Sequence, residues 1–271
     1  MMNSSKRRQA GLSLVSVMIA SIIGIFIVGG AAKVYVDSKN TFNARSAVAA
    51  ATENYRFALQ DMRRAVVMAG RSIIPENDDT TAYDQPDNGL RTFPAIAVDG
   101  IQDIDANGSS VVAVRYASGP APCGLGGTLD GAVGSTITVR FYVDNDGNLV
   151  CEVPEQNYAQ PLVSGIAQMR ALYGVDTDGD GIANQYLTAT LVDDNSRWVN
   201  IVAIRIGIVA GSGDGQEMPI VFRPATAEPL DMMGSSFTPT DTSQAYKVAN
   251  TTISLRNLHQ TMNRQARNFG G

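Results

Sequence analysis

The chain has 271 residues, of which 44% are hydrophobic and 17% are charged, and its formal net charge is −5. That length is sufficient for a sizeable core, and the acidic balance disfavours nucleic-acid binding, because phosphate contacts depend on Lys and Arg. The single histidine, His259, lies in a polar stretch, so the sequence does not support a Ser/His/Asp or Cys/His hydrolase. A P-loop and an HExxH motif are also missing from the sequence. We therefore expect a protein that is not an enzyme and has no nucleic-acid partner.

An uncharged apolar run extends from Leu12 to Ala32 and follows a leader with three basic residues at positions 6 to 8. About 20 apolar residues are needed to cross a hydrocarbon core as a helix. The first acidic residue, Asp37, lies on the far side of the run, so the basic-inside bias places the N-terminus in the cytoplasm and exports the remainder. A plain single-pass anchor is the alternative interpretation of this segment.

The junction between leader and apolar run carries a more specific pattern. Gly11 comes before the apolar core and is followed by Leu12, Ser13, Leu14 and Val15, whereas a conventional secretory signal has its small-residue cleavage site after the core. This order resembles the class III signal of type IV pilins and pseudopilins. The resemblance implies that prepilin peptidase cuts between Gly11 and Leu12, that the new N-terminus is methylated, and that the mature chain keeps the helix. Loss of the three basic residues would move the formal charge to −8.

Position 16 departs from the pilin pattern, since pilins usually have glutamate at the fifth mature position and this chain has Ser16. In the family that carboxylate is thought to pair with the free amine of a neighbouring subunit, and a buried ion pair is useful only when both partners are present. Ser16 is therefore compatible with a place at or near the fibre tip. It is equally compatible with drift at a tolerant position.

Helical periodicity continues well beyond the apolar run. Apolar residues recur at steps of three and four at Val48, Ala51, Tyr55, Ala58, Met62, Ala65 and Ala69. No proline interrupts this pattern, and Gly70 is a natural stop. We expect one helix over residues 12–70, about 85 Å long, with a transmembrane half at 12–32 and an amphipathic half at 33–70. Three glycines, Gly24, Gly29 and Gly30, favour local melting or bending in its middle.

From residue 71 onward the sequence is rich in Gly, Asp, Thr, Ser and Val, with short alternating runs between turn signals. The predicted strands are Ser110 to Tyr116, Thr136 to Val143, Leu149 to Val153, Gln168 to Tyr173, Tyr186 to Leu191, Val199 to Val209 and Thr251 to Leu255. Residues 75–91 are predicted to form an exposed acidic loop. The fold class is therefore predicted as α+β: a leader at 1–11, the long helix, and one mostly antiparallel β head at 71–271. The pilin resemblance implies the same lollipop outline.

Two cysteines, Cys123 and Cys151, fall in the exported part, where disulfides persist. A bridge between them is predicted to clip the glycine-rich loop after Cys123 to the strand near Leu149, and to constrain the unfolded chain by about 3 kcal/mol. Two unpaired thiols are the alternative. A metal site is disfavoured here, because His259 is far away in the sequence and no further cysteine exists.

An acidic loop with the sequence DTDGDGIAN occupies residues 176–184. Side-chain oxygens at loop positions one, three, five and nine, glycine at six and a carbonyl at seven suit a hard cation such as Ca²⁺. The predicted ligands are Asp176, Asp178, Asp180, Asn184 and the carbonyl of Ile182. Leu187 stands where an EF-hand has glutamate, so the pattern is closer to the short loops of extracellular repeat proteins, with weak affinity or completion by water. The alternative is a tight Asp/Gly turn without metal.

A second acidic turn, Asp144 to Gly147, lacks the ligand at the fifth position, and we predict a plain hairpin there. It therefore serves as a comparison for the longer acidic loop.

Three segments together resemble the PilW family of type IV minor pilins. They are LYGVDTDGDG at 172–181, WVNIVAIRI at 198–206 and TISLRN at 252–257. The resemblance implies a low-copy subunit that helps to start pilus assembly and lies near the fibre tip. It also implies an inner-membrane protein with a periplasmic head, which later reaches the cell surface within the pilus.

The partners implied by this resemblance are other minor pilins, the major pilin, prepilin peptidase and the inner-membrane assembly platform. Two other functions fit the same sequence. One is a pseudopilin of a type II secretion pseudopilus, and the other is a tip adhesin or DNA-uptake subunit that binds a ligand through its head.

Overall fold

The computed structural model describes residues 13–71, 108–116, 118–130, 137–195, 197–213 and 215–255. The elements in chain order are α1 (Leu14–Met68), β1 (Val112–Tyr116), β2 (Ser118–Pro120), β3 (Thr128–Asp130), β4 (Ile137–Val143), β5 (Leu149–Val153), β6 (Tyr158–Val163), β7 (Ile166–Val175), β8 (Gln185–Leu187), α2 (Ala189–Asp194), β9 (Ile201–Gly211), β10 (Leu230–Met232), β11 (Ser235–Phe237) and β12 (Tyr246–Ser254). Three sequence predictions lie outside the described residues: the Gly11/Leu12 junction, the loop at 75–91 and the environment of His259.

The strands form two four-stranded antiparallel sheets in the orders β1-β4-β5-β6 and β12-β9-β7-β8, together with two short hairpins, β2–β3 and β10–β11. The second half of α1 packs on this β head. The predicted fold class, a long N-terminal helix on a mostly antiparallel β head, is confirmed.

Helix α1 is continuous for 55 residues. It passes through Gly24, Gly29 and Gly30 without interruption, so the local melting expected at these glycines is wrong. The helix ends where the sequence predicts, because Gly70 adopts a left-handed φ of +72° that a residue with a side chain rarely adopts. The Gly70 N–H donates to the carbonyl of Arg115 at 2.8 Å and thereby ties the helix end to β1.

One line of small residues on α1 faces the head. The buried positions are Ala47, Ala51, Ala58, Met62, Ala65, Val66 and Ala69. Most of the predicted apolar stripe is therefore confirmed as core, but Val48 is 37% exposed and does not belong to it. Alanine lets the helix backbone approach the sheet closely, and Met62 fills the space between them.

Strand β9 is one of the two interior strands of the second sheet, and ten of its eleven residues are buried. The side chains of β9 do not alternate between buried and exposed, because both faces of the strand are covered. Ile204, Ile206 and Ile208 point into the core that also contains Ala58 and Met62. On the opposite face, Gly207 has no side chain, and a Cβ there would lie 2.8 Å from the side chain of Met232 in β10.

One strand prediction is partly wrong, and five strands were not predicted: β2, β3, β6, β10 and β11. Tyr186 to Leu191 is only partly a strand, because β8 ends at Leu187 and α2 begins at Ala189. The Thr188 hydroxyl accepts the Leu191 N–H and caps this helix, while Ala189 and Val192 are buried one turn apart. Strand β6 was missed because its side chains are mostly exposed and because it contains Pro161, which the sequence pattern associates with turns.

Cys123 and Cys151 form the predicted disulfide, with their Cα atoms 5.4 Å apart. Cys151 lies on β5, and Cys123 lies in the loop between β2 and β3, where it has a left-handed φ of +57°. The bridge therefore joins the glycine-rich loop to the first sheet, as the sequence predicts.

The side chain of Asn54 joins α1 to the end of the second sheet. Its Nδ2 donates to the carbonyl of Gly211 at 3.0 Å. Gly165 lies beside this contact with φ at +76°, and a Cβ at that position would be 2.9 Å from Asn54 Nδ2 and 3.0 Å from the Gly211 oxygen. Glycine is thus required at 165 both for the backbone conformation and for the close approach of the helix.

Candidate functional site

The first half of α1 exposes apolar side chains in every direction. Phe26, Ile27 and Val28 are consecutive, so they point to different sides of the helix, and they are 66% to 77% exposed. An 18-residue window of this helix has a mean hydropathy of 2.5, and none of it is buried in the protein. Because a helix that is apolar on all sides needs an apolar environment, this segment is a candidate membrane anchor. Ser16 lies in its first turn and is exposed.

The acidic loop, residues 176–184, connects β7 to β8 at the end of the second sheet opposite to the Asn54 contact. Two backbone hydrogen bonds hold the ends of the loop. The Asp176 N–H donates to the Asn200 carbonyl and the Asn184 N–H donates to the Val175 carbonyl, both at 2.9 Å. Gly174 allows the loop to fold back on the sheet, since a Cβ there would be 2.8 Å from the Cβ of Ala183.

Asp176 is the buried anchor of the loop, with 1% of its surface exposed. Its carboxylate accepts backbone N–H groups from Gly179 and Gly181, both at 2.7 Å, and from Asp178 at 3.2 Å. Burial by itself raises the pKa of this carboxyl, but the backbone donors outweigh that effect and hold the pKa below its ordinary value. Asp176 is therefore ionised at neutral pH and organises the turn around itself.

Asp178 and Asp180 are exposed and lie beside Asp176. One carboxylate oxygen from each of the three residues falls within 4.8 Å of the others. Since oxygen ligands lie about 2.3–2.6 Å from Ca²⁺, a single ion can contact oxygens at this separation. The three carboxylates could hold a metal ion, and their hard oxygen chemistry suits a hard cation.

The other two predicted ligands have different surroundings. The Asn184 Oδ1 accepts the Thr177 N–H at 2.7 Å and the Thr177 hydroxyl at 3.1 Å, while the Asn184 Nδ2 donates to Asp178 at 3.2 Å. The amide of Asn184 thus turns its nitrogen, not its oxygen, toward the carboxylates. The Ile182 N–H donates to Asp180 Oδ1 at 2.7 Å, and its side chain is 67% exposed.

The second acidic turn has a simpler arrangement. Asp144 accepts the N–H groups of Asp146 at 3.0 Å and Asn148 at 2.7 Å, and also the Asn148 side-chain amide at 3.0 Å. It connects β4 to β5 as a hairpin, as predicted. Here one carboxylate closes the turn, whereas three carboxylates converge in the acidic loop.

The sequence interpretation missed two contacts that hold the acidic loop in place. Thr177 fixes the orientation of Asn184, as described above. The Arg205 guanidinium lies 4.0 Å from the ring centre of Tyr186 in β8, and its Nε donates to the Thr252 hydroxyl at 3.3 Å. The Arg205 contacts join three strands that are distant in sequence, so no local pattern could reveal them.

The architecture defines a class of protein in which an exposed apolar N-terminal helix continues into a helix packed on an antiparallel β head. Residues 140–257 of this chain match the family model described as Type IV Pilus-assembly protein W, PilW. The matched region begins in β4 and includes the acidic loop and the whole second sheet. The resemblance to PilW that the sequence indicated is confirmed over this region.

One similar solved structure is a type IV-like pilin, TTHA1219, from Thermus thermophilus. It is 12% identical, the alignment covers 58% of this chain and 82% of that chain, and the TM-score is 0.32. A TM-score this low supports no inference about the present chain. No curated protein matches the chain significantly.

Proposed function

We propose that this chain is a minor pilin that helps to initiate type IV pilus assembly, lies at or near the fibre tip, and acts by subunit packing without chemistry of its own. The observation that carries the proposal is the unbroken helix α1, which is apolar and exposed in its first half and buried on one face against the head in its second. The PilW match over residues 140–257 supports the same assignment.

The exposed half of α1 suits two successive environments. Before assembly it spans the inner membrane with the head in the periplasm, and prepilin peptidase removes the leader and methylates the new N-terminus. During assembly it moves at the assembly platform from lipid into a bundle of helices from other minor pilins and the major pilin. Lipid tails and apolar helices are similarly favourable surroundings for the apolar side chains of α1. The small residues Ser16, Ala20, Ser21 and Gly24 allow neighbouring helices to pack closely.

Ser16 gives a reason to place the subunit at the tip. A subunit with no neighbour packed beyond it has no amine to neutralise, so it loses nothing by lacking the glutamate that pilins usually carry. An isolated buried carboxylate would be unfavourable in that position.

The function is tested by deleting the gene in strains with and without pilus retraction and measuring surface pili, with protein secretion assayed in parallel. We expect loss of pili that partly return when retraction is disabled, because such a subunit primes assembly. Normal pili with failed secretion would contradict the proposal and indicate a type II pseudopilin. Normal pili and normal secretion would indicate a tip adhesin or DNA-uptake subunit.

Processing at the predicted junction gives a second test of the pilin assignment. Replacement of Gly11 should leave an unprocessed precursor in the membrane, visible as a slower band on an immunoblot. Replacement of Ser13 by Ala, which keeps the glycine, is the matched control and should be cleaved. If the Gly11 variant is processed normally, the class III signal is wrong.

We further propose that the acidic loop binds Ca²⁺ through Asp176, Asp178 and Asp180. Asn184 and the carbonyl of Ile182 are the remaining candidate ligands. The convergence of three oxygens within 4.8 Å supports this, since unscreened carboxylates repel one another and a cation relieves the repulsion. Asn184 would have to turn its amide and give up Thr177 to join the site, so we expect weak affinity with water completing the coordination.

The calcium proposal predicts that Asp178→Ala lowers thermal stability only when calcium is present. Asp146→Ala, in the second acidic turn, is the matched control and should show the same small change with and without calcium. Thermal unfolding followed by the fluorescence of Trp198, the only tryptophan, measures both variants. Equal melting temperatures of the unmodified protein with calcium and with a chelator would contradict the proposal.

A further inference from the structure

Three arginines form a line along the outer face of α1. Arg45, Arg56 and Arg63 are separated by 11 and seven residues, which are about three and two helical turns, so they lie one above another. Each is followed two residues later by a buried alanine, which places the arginine about 200° away, on the side opposite to the head. This arginine stripe spans about 27 Å of the helix.

All three arginines of the stripe are exposed. In the described part of the chain none of the three arginines makes an ion pair or a hydrogen bond. The arginines of the head behave differently. Arg140 pairs with Glu152 at 3.1 Å, and Arg223 pairs with Glu217 at 2.6 Å. These two arginines of the head are paired internally, whereas the three arginines of the stripe have no such pair among the described residues.

Charge is also divided unequally along the chain. Residues 33–71 carry seven Lys or Arg and three Asp or Glu, whereas residues 72–271 carry 11 Lys or Arg and 23 Asp or Glu. The amphipathic half of α1 thus has a net charge of +4 and the remainder of the head −12. A basic helix face on one side of a molecule complements an acidic head surface on another molecule, and opposite potentials of this kind favour association and set the register.

The geometry argues against a lipid surface as the partner of the stripe. Arg45 lies 13 residues after Ala32, the end of the uncharged apolar run, and Arg63 lies 31 residues after it. At 1.5 Å per residue these distances are about 20 Å and 46 Å along the helix. A helix that crosses the membrane carries most of the stripe away from the headgroups, since surface attraction falls off within a Debye length of about 8 Å.

We propose that the arginine stripe is the docking surface for a carboxylate-bearing face on the head of an adjacent pilin subunit in the assembled fibre. This inference rests on the proposed function. The contact joins different surfaces of the two subunits, so it is a heterologous interface. Phe42, which is 72% exposed, lies near the stripe and adds an apolar contact.

Site-specific photo-crosslinking of the full-length protein in its own cells tests the inference. A photoreactive amino acid replaces Ala49, which is exposed between Arg45 and Arg56 on the stripe. In a second variant it replaces Phe57, which points about 100° away from Arg56 and therefore lies off the stripe. We expect a crosslink from position 49 to an acidic segment of another pilin head. The double variant Arg56→Glu, Arg63→Glu should reduce its yield about tenfold or more, because attraction becomes like-charge repulsion.

The adjacent arginine supplies the matched control. Arg64 pairs with Asp61 at 3.4 Å and lies off the stripe, so Arg64→Glu should leave the crosslink from position 49 intact. Protease resistance and the Cys123–Cys151 bridge show whether each variant is folded. The double variant Arg56→Gln, Arg63→Gln removes the charge without reversing it and should give an intermediate crosslink yield from position 49. A crosslink to lipid, a segment without acidic residues, or a yield unchanged by both double variants would overturn the inference.

These outcomes are distinct from failure of the proposed function. If deleting the gene leaves piliation normal, the proposed function fails and the inference fails with it. If deletion abolishes pili but the crosslink does not respond to the charge of the stripe, only the inference is overturned.

Discussion

Along α1, residues 14–36 expose apolar side chains on all sides, whereas residues 47–69 bury one line of small residues against the β head. The backbone conformation is the same in both halves, and only the surroundings differ. In the first half the large side chains leave no flat surface for a sheet, and nothing in the described protein covers them. In the second half, the buried alanines at positions 47, 51, 58, 65 and 69 create a narrow surface that a sheet can approach. The same helix can therefore serve as an anchor at one end and as a structural part of the head at the other.

The largest expected effect compares the same substitution in the two halves. Met62 is fully buried, and Met62→Ala should lower the free energy of unfolding of the head by about 2–5 kcal/mol, because it leaves a cavity under the helix. Met18 is 58% exposed, and Met18→Ala should leave that free energy unchanged. Urea unfolding of the full chain in detergent, followed by Trp198 fluorescence, compares them. Equal effects would mean that the two halves do not differ in their contribution to the head.

A smaller effect concerns the tyrosine next to the end of the helix. Tyr116 in β1 is 2% exposed, and burial raises the pKa of its hydroxyl to about 12. Since the folded pKa exceeds the unfolded value of about 10, the protein gains stability from the neutral hydroxyl below pH 10 and loses it as the pH rises through 12. Between pH 9 and pH 11 the unmodified protein should lose about 1.4 kcal/mol more than Tyr116→Phe.

The control for this pH effect again lies in the exposed half of α1. Tyr35 is 70% exposed, so Tyr35→Phe should leave the denaturant midpoint of the head unchanged. Denaturant midpoints measured at pH 9, 10 and 11 give the comparison. If Tyr116→Phe loses as much stability as the unmodified protein over this interval, burial of Tyr116 does not govern the alkaline limit of the head.

The smallest expected effect concerns the polar contact between helix and sheet. Asn54→Ala removes the hydrogen bond to the Gly211 carbonyl and should cost about 1 kcal/mol of unfolding free energy. Asn43 is exposed on the same helix, and Asn43→Ala should have no measurable effect. The same urea titration measures both. A loss at Asn54 no larger than that at Asn43 would show that apolar packing alone holds this part of α1 to the head.

The sequence predicted the elements that are determined by residues close together in the chain. The periodicity of α1, its stop at Gly70, the hairpin at Asp144 and most strands of the head were predicted because each depends on residues near in sequence. The strand prediction failed in part at Tyr186 to Leu191, because Thr188 is compatible both with a continuing strand and with the cap of a helix. The burial of Ala189 and Val192 in the folded protein favours the helix α2. It failed at β6 because an exposed strand has no apolar alternation.

The acidic loop was predicted in composition but not in geometry. The spacing of Asp176, Asp178 and Asp180 indicated that their oxygens converge, and they do. The orientation of Asn184 could not be predicted, because it depends on two contacts of the folded loop. The Thr177 N–H donates to the amide oxygen, and the amide nitrogen donates to the Asp178 carboxylate. Arg205 and Tyr186 meet only across the folded sheet.

The sequence by itself determined that this protein has a long N-terminal helix with an apolar half, two cysteines in a β-rich part, and an acidic loop with the spacing of a cation site. These features follow from local propensity, hydrophobic length and residue spacing, which act within a few turns or strands. Tertiary structure alone decided that Val48 lies outside the buried line of α1, that Asn54 meets Gly211 beside Gly165, and that the three arginines of the stripe make no ion pair with another described residue. Those outcomes depend on contacts between residues far apart in the chain, which only the packed fold brings together.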